Sequence, residues 1–255
     1  MRALVLRFDA PLASFGGVRI DNHGVVERFP GTSMLTGLLA NALGWRHGEA
    51  DRLTELQGRV TFAARWDVPP IRLIDYHTVD LGQPKMMGYP SSSEKAAGWT
   101  TWGFLEERAG GTAKKAIHER YQHYWADGVL TLALTLKGEG QPFLEDLEAA
   151  LRYPARPLFL GRKACLPSRP LVDPLQPMVE GEDLRQIISA IPLLHRGEPA
   201  PSRVEVCWPG ELGLEGMSGQ LREVFDLRDW KNQVASGSRL QAEGWVAWAG
   251  EVMPA

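Results

Sequence analysis

The chain is short of cysteine, of long apolar runs and of net charge. Only Cys165 and Cys207 occur in 255 residues. Two distant thiols do not make a disulfide scaffold, and they fit a reducing, cytoplasmic setting. No histidine stands at a spacing that would complete a zinc site with them, so no metal is expected. No apolar stretch reaches 18 residues, which argues against a membrane span. The segment after Met1 has no charged region, apolar run and small-residue cleavage site in succession, so no signal peptide is read there. Phosphate-binding loops, dinucleotide fingerprints, G-x-S-x-G and HExxH are all missing, and no cofactor is expected. Formal net charge is −3, which by itself speaks mildly against a nucleic-acid partner.

Composition is otherwise that of a soluble globular chain, with 44% hydrophobic and 23% charged residues. The distribution of charge says more than its sum. Arg152, Arg156, Arg162, Lys163 and Arg169 occur in a stretch with no acid. Acid collects on either side, at Glu139, Glu145, Asp146 and Glu148, and again at Glu180, Glu182 and Asp183. A mildly acidic protein can thus carry a basic face.

Residues 2–8 read as a strand. Residues 33–44, SMLTGLLANALG, repeat apolar side chains at helical spacing, with Thr32 or Ser33 to cap and Gly44 to end the helix. Gly37 within it suggests close approach of another backbone, with a merely tolerated glycine as the alternative. Segments 59–66, 71–79 and 128–137 read as strands, 142–151 as an amphipathic helix and 203–208 as a further strand. Their order, βαββαβ, is that of an α+β fold of ferredoxin-like or RRM-like type. Residues 81–118 interrupt it. They are rich in Gly, Ser and Pro without clear periodicity, which is unusual inside a compact domain. The expected organisation is an RRM-like palm over 1–80 and 119–208, an insertion over 81–118, and a C-terminal extension over 209–255.

Three places carry candidate chemistry. Arg28 to Ser33 leads into a helix whose start offers free N–H groups to a phosphate, with Arg28 beside them. An ordinary capped core helix accounts for the same residues. Gly161-Arg162-Lys163, with Arg156 and Arg169 nearby, joins a permissive backbone to paired cations. A solvated turn is the alternative. The exit of the insertion holds Arg108, Lys114, Lys115, His118, Arg120, Tyr121, His123 and Tyr124. Cations suit phosphates and rings stack on unpaired bases; a loop whose aromatics, Tyr124 and Trp125 above all, pack back on the core is the alternative. His118, His123, Lys115 and Tyr121 would also supply acid, base and oxyanion groups for metal-independent RNA cleavage. Asp75 and His77 share one strand face and lack a third ligand, so a structural hydrogen bond is the expected role.

Several segments in order resemble the CasD family of type I-E CRISPR systems. They are Leu6-Arg7-Phe8, Pro11 to Gly16, Arg28-Phe29-Pro30, Ser33 to Gly44, Asp75 to Val79, Tyr124 to Asp127 and Leu160 to Cys165. A weaker echo follows at Leu227 to Trp230 and Ser236 to Arg239. Gln122 departs from the family, which often has Arg two residues before the Tyr124 position, and Gly128 replaces an Ala. The resemblance implies an RRM-like palm, with residues 81–118 forming a protruding β-hairpin thumb. It implies a non-catalytic Cascade subunit in antiviral defence that binds the 5′ handle of the crRNA and caps the backbone filament. The implied partners are that RNA, the backbone subunit CasC, the large subunit CasA, and target DNA through the assembled complex. A metal-independent endoribonuclease acting on repeat RNA is the rival expectation. The RNA-binding candidates are Arg28, Ser33, Arg108, Lys114, Lys115, His118, Arg120, Tyr121, Arg156, Arg162 and Lys163.

Overall fold

The computed structural model describes residues 1–17, 21–80, 97–99, 105–107, 117–197 and 200–255, with side chains at 1–17, 21–78, 119–197 and 200–255. The chain divides into two compact units. Met1–Gly17, Val26–Leu73 and Tyr124–Ala255 form the larger, and Val18–Val25 with Ile74–His123 the smaller.

The strands are β1 (Arg2–Asp9), β2 (Leu12–Ala13), β3 (His23–Gly24), β4 (Val60–Val68), β5 (Ile71–Asp80), β6 (Ala97–Trp99), β7 (Leu105–Glu107), β8 (Ile117–Ala126), β9 (Val129–Leu136), β10 (Met178–Glu180), β11 (Leu193–His195), β12 (Arg203–Pro209), β13 (Met217–Val224), β14 (Arg228–Asp229), β15 (Val234–Ala235), β16 (Arg239–Ala247) and β17 (Val252–Pro254). The helices are α1 (Thr32–Ala42), α2 (Ala50–Arg59), α3 (Leu144–Arg152) and α4 (Leu184–Ala190).

A mixed α+β architecture results, dominated by one antiparallel sheet in the larger unit. Its strand order is β10-β1-β9-β4-β12-β16-β13. Side chains alternate across a strand, so each central strand feeds two cores. One face presents Leu4, Leu6, Phe8, Phe62, Trp66, Leu130 and Leu132 to Leu35 and Leu39 of α1, Leu56 of α2 and Leu147 of α3. The other presents Ala3, Val5, Ala63, Ala133 and Val206 to Leu184, Ile187 and Ile188 of α4. Burial on both faces explains why β9, VLTLALTL, reads as an apolar run rather than an alternation.

The strand expected over 203–208 exists as β12. It pairs with β4 and carries the sheet outward to β16 and β13. The outer neighbour of β1 is β10, in register Arg2↔Glu180. Three pairs suffice for a short edge strand, too short to be seen by its period. Residues 209–255 therefore supply sheet strands of the same unit. Helix α2 also went unread. It buries only Leu53 and Leu56, too sparse an apolar pattern to stand out.

Helix α1 starts differently from expectation. Neither Thr32 nor Ser33 caps it, for Gly31 occupies the cap position. The Asp226 carboxylate, from beyond β13, accepts the Thr32 N–H at 2.8 Å instead. Gly44, at φ +79°, ends the helix region as expected. No backbone approaches Gly37. Its nearest neighbour is the Trp230 ring, 3.8 Å from where a Cβ would stand.

On the α4 face, four buried charges hold loop and helix to the sheet. Asp67 receives Arg7 Nη1, Thr131 Oγ1, Arg65 Nε and the Leu194 N–H. Arg7 also donates Nε to Asp173 at 2.7 Å. Arg65 donates to the carbonyls of Ile188 and Ile191 at the end of α4. Buried ions survive only when fully paired in this manner.

Candidate nucleic-acid interface

In the larger unit, the candidate surface centres on the loop Leu160 to Cys165. Gly161 has φ +93°, the left-handed region that disfavours a side chain. A Cβ there would lie far inside van der Waals contact of the Ser14 carbonyl oxygen and 2.7 Å from its carbon. The close approach permitted by this glycine is thus to the chain's own backbone just after β2. The Ser14 N–H donates to the Leu160 carbonyl at 3.0 Å. Within the loop, Leu160 N–H donates to Cys165 O and Cys165 N–H to Arg162 O, both at 2.8 Å. Cys165 is buried, and that burial pushes its thiol above the ordinary range. These bonds fix the loop and project two cations from it. The Arg162 guanidinium lies 4.8 Å from the centroid of the Tyr124 ring. Lys163 is exposed and has no ion-pair partner among the described residues.

The other cations of the basic stretch have internal tasks. Arg156 donates to the carbonyls of Gly44 and Trp45, each at 2.8 Å, closing the C-terminal end of the α1 region. Arg169 pairs with Asp9 and Arg152 with Glu148. Arg28 is held as well. It grips the Glu205 carboxylate on β12, and its guanidinium carbon lies 5.1 Å from the centroid of the Trp66 ring and 4.8 Å from that of Trp125. Ser33, half-buried at the start of α1, donates its N–H to the Asp226 carbonyl at 3.1 Å. The anion at this helix start is the carboxylate that the chain itself supplies.

The smaller unit gathers rings. Parallel pairing of β3 with β8 sets His23 opposite Tyr121. Their rings stack with centroids 4.7 Å apart and planes 9° apart. The Tyr76 ring of β5 lies 5.1 Å from that of Tyr121. His23 Nδ1 and His123 Nε2 approach to 3.3 Å, with His123 buried. Tyr76 donates its phenol to Glu119, whose carboxylate raises its pKa. Asp75 and His77 make the expected contact within their strand, at 2.7 Å. Of the residues singled out in sequence, Tyr121 and His123 meet here, and Arg120 is half-buried on the same strand. His23 and Tyr76 were missed. Both are far away in sequence, and only strand pairing brings them in. Residues 108, 114 and 115, and the side chain of His118, lie outside the described residues. Within the insertion, β6 and β7 pair antiparallel, Ala97↔Glu107 to Trp99↔Leu105.

Among the described residues no group of three or more metal-ligating side chains is found, and no helix is long and apolar enough to cross a membrane.

Comparison with known proteins agrees with this architecture. The model of the family described as CRISPR-associated protein, Cas5 (Cas5d), matches residues 3–240. The CRISPR system Cascade subunit CasD of Escherichia coli (strain K12) is 28% identical over 180 residues, covering 68% of each chain. A solved chain from a CRISPR RNA-guided surveillance complex superposes with a TM-score of 0.64 at 26% identity, over 99% of this chain and 94% of that one. A second solved Cas protein gives 0.59 at 23% identity, over 97% and 94%, a likeness of fold. The chain belongs to the Cas5 family of CRISPR-associated proteins and is of the CasD type.

Proposed function

We propose that this chain is a non-catalytic Cascade subunit that binds the 5′ handle of the crRNA and caps the backbone filament, next to CasC and CasA. The loop Gly161-Arg162-Lys163 carries this reading in the structure. It is rigid, pinned to Ser14, and presents an exposed ammonium beside a guanidinium stacked on an aromatic ring. That combination suits a phosphate next to an unpaired base. Arg120 and Tyr121 lie on β8, the strand that leaves the insertion, and are separate candidate contacts in the smaller unit.

The test is charge reversal at Arg162 and Lys163, with the complex assembled on guide RNA. Each phosphate contact to a single strand contributes roughly 0.7 to the slope of log K against log salt. Losing two should make the slope shallower by about 1.4 and weaken RNA retention at least tenfold. Assembly and slope equal to wild type would remove this loop from the interface.

Cleavage of repeat RNA is the second reading, favoured by the close pair His23 and His123 beside Tyr121. The burial of His123 weighs against it, since a general base must reach the substrate hydroxyl. Incubation of the purified chain with repeat RNA in EDTA decides. A defined cut lost in His123→Ala would establish the enzyme.

A further inference from the structure

The smaller unit contains three rings in a row, drawn from three neighbouring strands. On one edge of β8 the pairing with β3 aligns His23 with Tyr121, and on the other edge lies β5 with Tyr76. Centroid separations of 4.7 and 5.1 Å are close to the spacing of hydrogen-bonded strands, about 4.8 Å. The His23 and Tyr121 rings are stacked, with planes 9° apart, and the Tyr76 ring leans against Tyr121 with planes 38° apart. This stack is incomplete. Tyr76, its last member, is 51% exposed, and no strand pairs with the far edge of β5 among the described residues.

An exposed tyrosine on a free edge is ordinarily mobile. Here it is held from two directions, by the ring of Tyr121 at its side and by the bond from its phenol to Glu119. A flat ring fixed before its ligand arrives loses little entropy on binding. The nearby charge also limits what can bind. The Glu119 carboxylate repels phosphate at the phenol end, so the ring offers a place for a base and not for the sugar–phosphate backbone. The stack presents an aromatic face and carries no obvious hydrogen-bond code, so it would take any of the bases.

We infer that the outer face of Tyr76, braced by Tyr121 and His23, is a stacking seat for one unpaired base of the guide RNA. The inference rests on the RNA-handle reading above and adds the site at which a base, in contrast to a phosphate, is held.

The experiment uses the complete complex, assembled on guide RNAs that carry 2-aminopurine at one unpaired handle position at a time. Stacking quenches that fluorophore. With wild-type protein one position should be quenched, and Tyr76→Ala should relieve it. Tyr76→Ala should also weaken RNA binding roughly tenfold, the range expected for loss of one stacked base. The salt slope should stay as in wild type, because no phosphate contact is lost. Tyr76→Phe keeps the ring and should retain quenching at the same position. If Tyr76→Ala leaves every position quenched as in wild type while the complex still holds the RNA, the stacking seat is wrong and the handle reading stands. If wild-type complex protects no part of the handle, the handle reading fails and the seat with it.

Discussion

Asp67→Asn is the sharpest probe of how this fold is held. Asp67 is 1% exposed, and both its oxygens are occupied. Oδ2 accepts from Arg7 Nη1 at 2.8 Å, Thr131 Oγ1 at 2.7 Å and the Leu194 N–H at 2.9 Å. Oδ1 accepts from Arg65 Nε at 2.7 Å. Asparagine keeps the shape but replaces one acceptor with a donor that faces donors. It also removes the carboxylate shared by two buried guanidinium groups, leaving Arg7 its bond to Asp173 and Arg65 only backbone carbonyls. Breaking a buried pair by removing one partner costs about 3–5 kcal/mol. For a chain of this size, 1 kcal/mol lowers Tm by roughly 2–4 °C. The expected fall is therefore on the order of 6–20 °C, read by calorimetry or by urea unfolding. The affected contacts lie on the α4 face, away from the loop of Arg162 and Lys163. Below the new transition, RNA binding and its salt slope should match wild type. Loss of stability under about 1 kcal/mol would refute the claim that this cluster depends on its central anion. The double variant Arg65→Met/Asp67→Leu, which removes both charges together, should be less damaging than the single change, since no uncompensated ion is left between them.

Two further perturbations separate loop geometry from pH. Gly161→Ala forces a side chain into the Ser14 carbonyl and a left-handed backbone on a residue with a Cβ. Strain of about 1–2 kcal/mol with loss of the Ser14–Leu160 hydrogen bond, about 1 kcal/mol, should displace the loop. Urea unfolding then shows the stability loss and handle binding falls with it, whereas an alanine variant equal to wild type in both would contradict the close-approach argument. Asp173 has the opposite use. Burial alone would raise its pKa, but N–H donation from Gln176 and Leu175 and the Arg7 guanidinium hold it below the ordinary carboxylate range. With the folded pKa depressed, its contribution is present above the unfolded value, about 3.9, and is lost as pH falls through the folded one. Unfolding free energy should drop below about pH 4, and Asp173→Asn should flatten the curve in that window. An identical acid limb in the variant would deny Asp173 that role.

The central strands and helices α1 and α3 were legible because their apolar residues recur at the proper spacing. What escaped was set by partners distant in sequence. Short β10 has three residues, and its identity as an edge strand comes only from its register with β1. The carboxylate that accepts the first N–H of α1 is Asp226, almost two hundred residues after Thr32, and no local Ser or Thr pattern reveals it. Gly37 suggested a backbone neighbour, and the structure supplies an indole. The buried group Arg7, Arg65, Asp67 and Asp173 does not stand out in the sequence, because one sequence does not reveal which charges will face one another. In the candidate interface, Tyr121 and His123 were found through local composition. Their companions His23 and Tyr76 required the pairing of β3 and β5 with β8.

The basic stretch makes the same point with a consequence for binding. As a run from Arg152 to Arg169 it suggested a broad cationic face. In the fold, Arg152 answers Glu148, Arg156 closes a helix end and Arg169 neutralises Asp9. Arg28, outside the run, answers Glu205 in the same way. A cation already saturated by a carboxylate adds little to phosphate attraction, since the ligand would have to displace a bond as good as the one it forms. Lys163, exposed and without an ion-pair partner among the described residues, is then the main candidate for phosphate attraction in this stretch, with Arg162 beside the Tyr124 ring. A net charge of −3 is consistent with so small a footprint. On the proposed reading, such a surface would hold RNA through a few fixed contacts and stacked bases more than through diffuse charge. Its affinity would depend on being placed beside other RNA-binding subunits, which supply the effective concentration that the isolated chain lacks.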